Sequence, residues 1–301
     1  MHPITIENDA VCIEVWPQFG GKVSSIVDKA DGYEVLFSYP TEFPSGPQYD
    51  SAYNKTWYAG WDECFPAIIP CKYVRHPYEG ISVPDHGELW GLPTTAVPTK
   101  DGITTVWHGL RFGYRLTRKL YLDGASVAAE YTLVNLAPFD FFFVWAQHPI
   151  LSVAPSPQIT LDGGASRAFR FSHSTGAVPV DQPFEWPALQ GNLDLSKPAD
   201  LPAGATWKVF SQDPISTPLT VNYRSRGRAL RMEYDSGSGL AAYWGMWMNS
   251  GGWGGHRHFA IEATTGRFDQ IDRSMRDGSA GQVGPLGRVD WSTRWSFVTA
   301  T

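Results

Sequence analysis

The sequence predicts an all-β chain built as a large antiparallel β-sandwich. Three observations carry this. Apolar and polar residues alternate at period two in several separate segments, and no stretch keeps a helical apolar period over three turns. The 30 Gly and 23 Pro also break the chain often enough to end strands rather than let helices run. Strands in such number, without crossover helices between them, argue for antiparallel layers around one core. Sandwiches of ~200–250 residues commonly form one unit, so the expectation is a single domain over 1–301.

The strands follow in chain order. Val11, Ile13 and Val15 share one face of a first strand, and 116–122 is strand-like. Val127, Ala129, Tyr131 and Leu133 lie opposite Ala128, Glu130 and Thr132. Further strand-like runs are 139–147 and 168–171, then Leu230, Met232 and Tyr234 alternating with Arg231, Glu233 and Asp235. The last are 240–248, 258–263 and 291–298. The Pro-rich stretch 174–214 reads as a long loop with short strands lying on the body. Its Phe184, Trp186, Leu189, Leu193, Leu195 and Trp207 are too apolar for a solvated tether. It is a candidate for shaping the mouth of a pocket.

Composition narrows the function. A net charge of -6 and the lack of any basic run with interleaved aromatics argue against nucleic acid. The start, Met1-His2-Pro3-Ile4-Thr5, lacks the basic and apolar regions of a signal peptide, and no apolar run reaches membrane-spanning length. A soluble cytoplasmic protein, monomer or homodimer, is expected, with a small neutral or mildly anionic molecule as partner. Cys12, Cys64 and Cys71 make neither a disulfide framework nor a zinc knuckle; Cys64 and Cys71 could pair, but reduced thiols are the expectation. The 13 Trp, 13 Tyr and 16 Phe offer flat faces for sugar rings, although a broad sandwich core also consumes aromatics.

Three segments could carry acid–base chemistry. In Pro84-Asp85-His86-Gly87-Glu88-Leu89-Trp90-Gly91, a turn could aim His86 into a cleft while Asp85 fixes its tautomer. In Trp145-Ala146-Gln147-His148-Pro149, a histidine sits where an apolar strand stops; a pocket and a capped core position fit it equally. In the segment from His256 to Gly266, a strand period would put His256, His258 and Glu262 on one face and Phe259 and Ile261 on the other. His256-x-His258 could suggest a metal, but no matching ligand cluster with dedicated spacing occurs elsewhere. Neither metal nor cofactor is expected.

Together these segments resemble the aldose 1-epimerase (galactose mutarotase-like) family over essentially the whole chain. Cys12-Ile13-Glu14-Val15-Trp16-Pro17-Gln18-Phe19-Gly20-Gly21-Lys22-Val23 resembles the family's first hairpin. Gly60-Trp61-Asp62-Glu63-Cys64-Phe65-Pro66 precedes the Asp-His-Gly turn, as a sugar-contacting segment does in relatives. Tyr131-Thr132-Leu133-Val134-Asn135 leads to His148-Pro149, and Gly251-Gly252-Trp253 is followed by Ile261-Glu262 and Thr265-Gly266. The resemblance implies the mutarotase supersandwich fold and interconversion of the α and β anomers of a free monosaccharide. It implies Glu262 as the base for the anomeric hydroxyl, His148 as the acid for the ring oxygen, and His86 as a hydrogen-bond partner near both. Opening and reclosing a hemiacetal needs such a pair with reversible roles.

The departures concern the rest of the sugar. Many relatives have an Asn-Arg pair where this chain reads Gly60-Trp61-Asp62-Glu63, and the Arg after the His-Gly turn is replaced by Glu88, Leu89 and Trp90. Trp61, Asp62, Glu63 and Trp253 are the candidate sugar contacts. The carboxylates suit a neutral polyol, while a sulfonate- or carboxylate-bearing sugar would need Lys72, Arg75 or Arg257 to turn inward. Two alternatives stand beside the isomerase: a non-catalytic carbohydrate-binding module, and a glycoside hydrolase or lyase on a related sandwich. The module need not keep the three residues together, and hydrolysis normally wants two carboxylates flanking the bond.

Overall fold

The computed structural model describes residues 2–38, 48–163, 167–175, 180–188 and 193–300. The period-two segments become half-buried strands because one face of each packs on a second sheet. Val11–Trp16 buries Val11, Ile13 and Val15. Ser126–Asn135 buries the predicted row from Val127 to Leu133, and Arg228–Asp235 buries Leu230 and Met232.

Two antiparallel sheets hold almost everything. The larger runs Ile4–Glu7, Val11–Trp16, Lys22–Asp28, Trp61–Cys64, Ala146–Ser152, Arg257–Thr264, Tyr243–Ser250, Thr206–Ser211, Ala168–Ser174, Pro183–Glu185, with Tyr33–Glu34 beside Lys22–Asp28. The smaller runs Gln158–Leu161, Leu219–Tyr223, Arg228–Asp235, Arg288–Thr299, Ser126–Asn135, Tyr114–Asp123, Gly102–His108, Thr95–Pro98. The core lies between them. There Trp61 stacks on Trp295 at 5.0 Å, and Tyr131 stacks on Trp291 at 5.2 Å.

Three expectations about elements need correction. The run 139–147 is not one strand: Phe141–Phe143 pairs with Gly281–Val283, and Ala146–Ser152 enters the large sheet. Between them the Val144 amide donates to the Pro66 carbonyl and the Trp145 amide to Thr265 Oγ1, which turns the chain from one pairing to the other. The strand expected from 240 begins at Tyr243. Within 174–214, Thr206–Ser211 is a fully buried strand of the large sheet rather than part of a surface loop. Residues 176–179 and 189–192, including Leu189, lie outside the described residues. No helix among the described residues is long and apolar enough to cross a membrane.

Candidate functional site

Strand register assembles the site. Asp62 pairs with His148, while Ala146 and Ile150 pair with Thr264 and Ala260, which sets His148 beside Glu262. Glu262 pairs in turn with Gly245, and Gly245 with Phe210. The neighbouring row, Ile150, Ala260, Trp247 and Lys208, faces the same way because it lies two residues along each strand. Intervening residues face the second sheet: Gln147 donates to Thr293 Oγ1 and accepts from Trp295 Nε1. The site therefore lies on the face of the large sheet turned away from the core.

A cavity of about 750 Å³ opens over this face, with His86, His148, Lys208, Trp247, Trp253 and Phe268 in its lining. His148 Nε2 lies 3.5 Å from Glu262 Oε1. The His86 ring sits 5.1 Å from the His148 ring and stacks on Tyr53 at 3.8 Å. His86, His148 and Glu262 thus converge from three distant segments. Trp247 and Trp253 supply aromatic faces, with Tyr58 behind Trp253 at 4.5 Å.

His86 is placed by a strained turn. Its φ is +56° and that of Gly87 is +75°, the left-handed region that disfavours a Cβ. A Cβ on Gly87 would lie 2.0 Å from the Phe65 carbonyl oxygen. The turn is pinned by the His86 amide on the Ile68 carbonyl and the Glu88 amide on the Phe65 carbonyl, both 2.7 Å. His86 Nδ1–H donates to Asp85 Oδ1 at 2.8 Å, and the Tyr53 amide donates to Asp85 Oδ2 at 2.9 Å. The hydrogen bond from His86 holds the Asp85 carboxyl below its usual range against the opposing effect of burial. An ionised Asp85 only accepts, so the proton on Nδ1 is fixed and His86 Nε2 faces away from Asp85.

Glu262 is fully buried, and Lys208 closes over it. The Lys208 ammonium donates to both carboxylate oxygens, at 2.6 and 2.5 Å, and lies 3.6 Å from Asp269. Ser172 Oγ donates to the other Asp269 oxygen at 2.8 Å. Burial pushes the Glu262 carboxyl above the ordinary carboxylate range, opposed by the Lys208 charge. Lys208 remains a cation because the Glu262 and Asp269 charges outweigh its desolvation. Burial, helped by the nearby His86 and Lys208 charges, drives His148 well below the usual imidazole value. His148 therefore rests neutral.

The expected sugar contacts divide. Trp253 lines the cavity. Asp62 faces that side but lies beneath Tyr53, whose hydroxyl donates to it at 2.9 Å, and it also accepts from the buried Lys22 ammonium. Trp61 and Glu63 do not reach the cavity. Both point into the core, where Trp61 Nε1 donates to Glu63 Oε1 at 3.0 Å and Arg118 Nη1 donates to the same oxygen at 3.1 Å. Arg75 is exposed over the Phe142 ring at 4.6 Å, and Arg257 donates to the Ala199 carbonyl at 2.7 Å; neither lines the cavity. Lys72 is also outside it, donating to Ser82 Oγ. Among the described residues, the cations that do line it are Lys208 and Arg273, and Arg273 is paired with Asp181 at 2.7 Å.

Sequence reasoning missed Lys208, Asp269 and Tyr53. Lys208 carried the clearest signal, a charge inside the apolar run Trp207-Lys208-Val209-Phe210, since a lysine buried in a strand needs a partner. It also missed a possible ligand set: Cys64 Sγ and one nitrogen each of His86 and His148 lie within 4.8 Å of one another. All three cysteines are free thiols.

His258 makes a stability prediction. It lies at the cavity edge but is closed from solvent, and its Nδ1 has no hydrogen-bond partner among the described residues. Burial pushes its pKa down to about 3 from 6.5. Above pH 6.5 both folded and unfolded forms are neutral. Between 6.5 and about 3 only the unfolded form takes the proton, so stability falls as pH falls, by up to ~1.4 kcal/mol per pH unit. Urea unfolding at pH 7, 5 and 4 should show a shallower acid slope for His258→Phe than for the wild type. Equal slopes would reject the assignment.

No family model and no curated protein sequence matches this chain. Solved structures do, along nearly its whole length. A protein of Synechocystis sp. PCC 6803 superposes with a TM-score of 0.73 at 14% identity, covering 99% of this chain and 96% of that one. A protein of Escherichia coli K12, provisionally named an aldose 1-epimerase, gives 0.70 at 15%, with 99% of each chain covered. A galactose mutarotase-like protein of Lactobacillus casei ATCC 334 gives 0.72 at 18%, covering 98% of this chain and all 100% of that one. At these identities the likeness shows the fold: this chain has the galactose mutarotase-like fold.

Proposed function

We propose that the protein interconverts the α and β anomers of a free aldose. The observation that carries this reading is the Glu262–His148 pair, 3.5 Å apart, with His148 in the wall of an aromatic-lined cavity and Glu262 buried beneath Lys208. Glu262 takes the proton from the anomeric hydroxyl as C1–O1 becomes a carbonyl and the C1–O5 bond breaks. His148, neutral with its Nε2–H toward the carboxylate, donates that hydrogen to O5. Rotation about C1–C2 and the reverse transfers close the ring on the other face. A raised carboxyl pKa suits a base working near neutrality. A neutral imidazole suits an N–H donor to an oxygen gaining charge.

Lys208 must share or release Glu262 when sugar binds, with Asp269 as its remaining partner. Both cations of the lining are already matched by carboxylates, which favours a neutral sugar over an anionic one. Anomer exchange measured by NMR over neutral and anionic aldoses should show acceleration for neutral ones. The rate should fall as pH drops through a value above 4.5, where Glu262 takes up its proton. No acceleration for any sugar would overturn the proposal; tight binding without turnover would favour a binding module.

A further inference from the structure

We propose that Cys64, His86 and His148 form a binding site for a thiophilic divalent cation of the zinc class, set in the floor of the cavity. Their ligand atoms lie within 4.8 Å of one another and come from three separate segments. Tetrahedral zinc needs thiolate and imidazole ligands at ~2.0–2.3 Å from the metal, so side-chain adjustments of about an ångström close the set. Three protein ligands with a fourth position facing a cavity is the arrangement of an open zinc site.

A second observation points the same way. Asp85 accepts from His86 Nδ1 at 2.8 Å and is itself anchored by the Tyr53 amide. A carboxylate on the far nitrogen fixes the tautomer, orients the ring and raises its basicity as a ligand. His148 also has a buried Nδ1 with no hydrogen-bond partner among the described residues. Both histidines line the cavity, which gives a cation its entry path to the buried Cys64.

Two carboxylates stand beside the cluster: Asp62 is the strand partner of His148, and Glu262 lies 3.5 Å from its Nε2. Binding expels one proton from Cys64 to solvent as the S–H bond gives way to a sulfur–metal bond, with no change of oxidation state. A cation here pins the His86 and His148 rings at the cavity and keeps the sugar from reaching them. That consequence, unlike the site itself, rests on the proposed anomer chemistry.

The probes are cobalt(II) and zinc(II) added to the full chain under reducing, oxygen-free conditions. Cobalt should produce a thiolate charge-transfer band in the near ultraviolet, which zinc then displaces. Cys64→Ala should abolish the band and weaken zinc binding at least tenfold by calorimetry, and it removes a buried sulfur without adding a polar group. Cys64→Ser gives an independent variant if the alanine form unfolds. No band with the wild type, or an unchanged band in the variants, overturns the site. In the sugar assay, zinc should stop turnover reversibly, with Cys64→Ala needing at least tenfold more metal. Turnover untouched by bound zinc overturns the inhibitory role. A cobalt band that depends on Cys64, in a metal-free protein that turns over no sugar, upholds the site and rejects the anomer reading.

Discussion

Replacing Glu262 by glutamine should lower the rate of anomer interconversion about a thousandfold, within the ~10²–10⁴ that a positioned base contributes. The substitution keeps the shape of the side chain and an oxygen for Lys208, but removes the group that takes the proton. Because Glu262 is fully buried and touches Lys208 through both oxygens, the variant should also lose a few kcal/mol of stability. Asp269, 3.6 Å from the ammonium, limits that loss. The rate must therefore be read well below the variant's unfolding temperature, by NMR exchange on protein shown to be folded by circular dichroism. Lys208→Met separates the two effects: it unpairs Glu262 and should push the acid limb of the pH–rate profile upward while retaining a measurable rate. A rate for Glu262→Gln within tenfold of the wild type would remove Glu262 from the mechanism.

The strands were legible because half-burial writes itself at period two, as in Val11, Ile13 and Val15. The same rule sets His258 and Glu262 on one face. Applied to 61–64, it puts Trp61 and Glu63 on one face and Asp62 and Cys64 on the other, so a contiguous motif cannot present all its members to one sugar. Nothing in the sequence says which face is the core; the partners Trp295 and Arg118 decide that, and they lie far along the chain. The convergence of His86, His148 and Glu262 was likewise invisible in their spacing and came from resemblance. Lys208 was hidden because the Pro-rich composition around it outweighed a short buried strand. Aromatic content could not separate Trp247 and Trp253, in the cavity wall, from Trp145 and Trp291, in the core.

Glu63 gives the second large effect, and it belongs to stability rather than to the cavity. Its carboxylate accepts from Trp61 Nε1, Arg118 Nη1, Tyr131 Oη and Trp145 Nε1 at 2.8–3.1 Å, all between the sheets. Glu63→Ala removes an acceptor shared by these donors and leaves a fully buried guanidinium without a counter-charge, so a loss of about 3–5 kcal/mol is expected. Arg118→Met should cost less, although it breaks the same pair. Burial already pushes the Glu63 carboxyl upward, and an unpaired carboxylate can neutralise itself by taking a proton, whereas a guanidinium cannot shed one. The paired replacement Glu63→Leu with Arg118→Met should recover part of the loss, because neither charge is then buried alone. Urea unfolding of the single and double variants measures all three values. If Arg118→Met proves as costly as Glu63→Ala, the relief by protonation is wrong. If Glu63→Ala instead leaves stability intact and abolishes sugar binding, Glu63 belongs to the cavity after all, against the direction its hydrogen bonds give it.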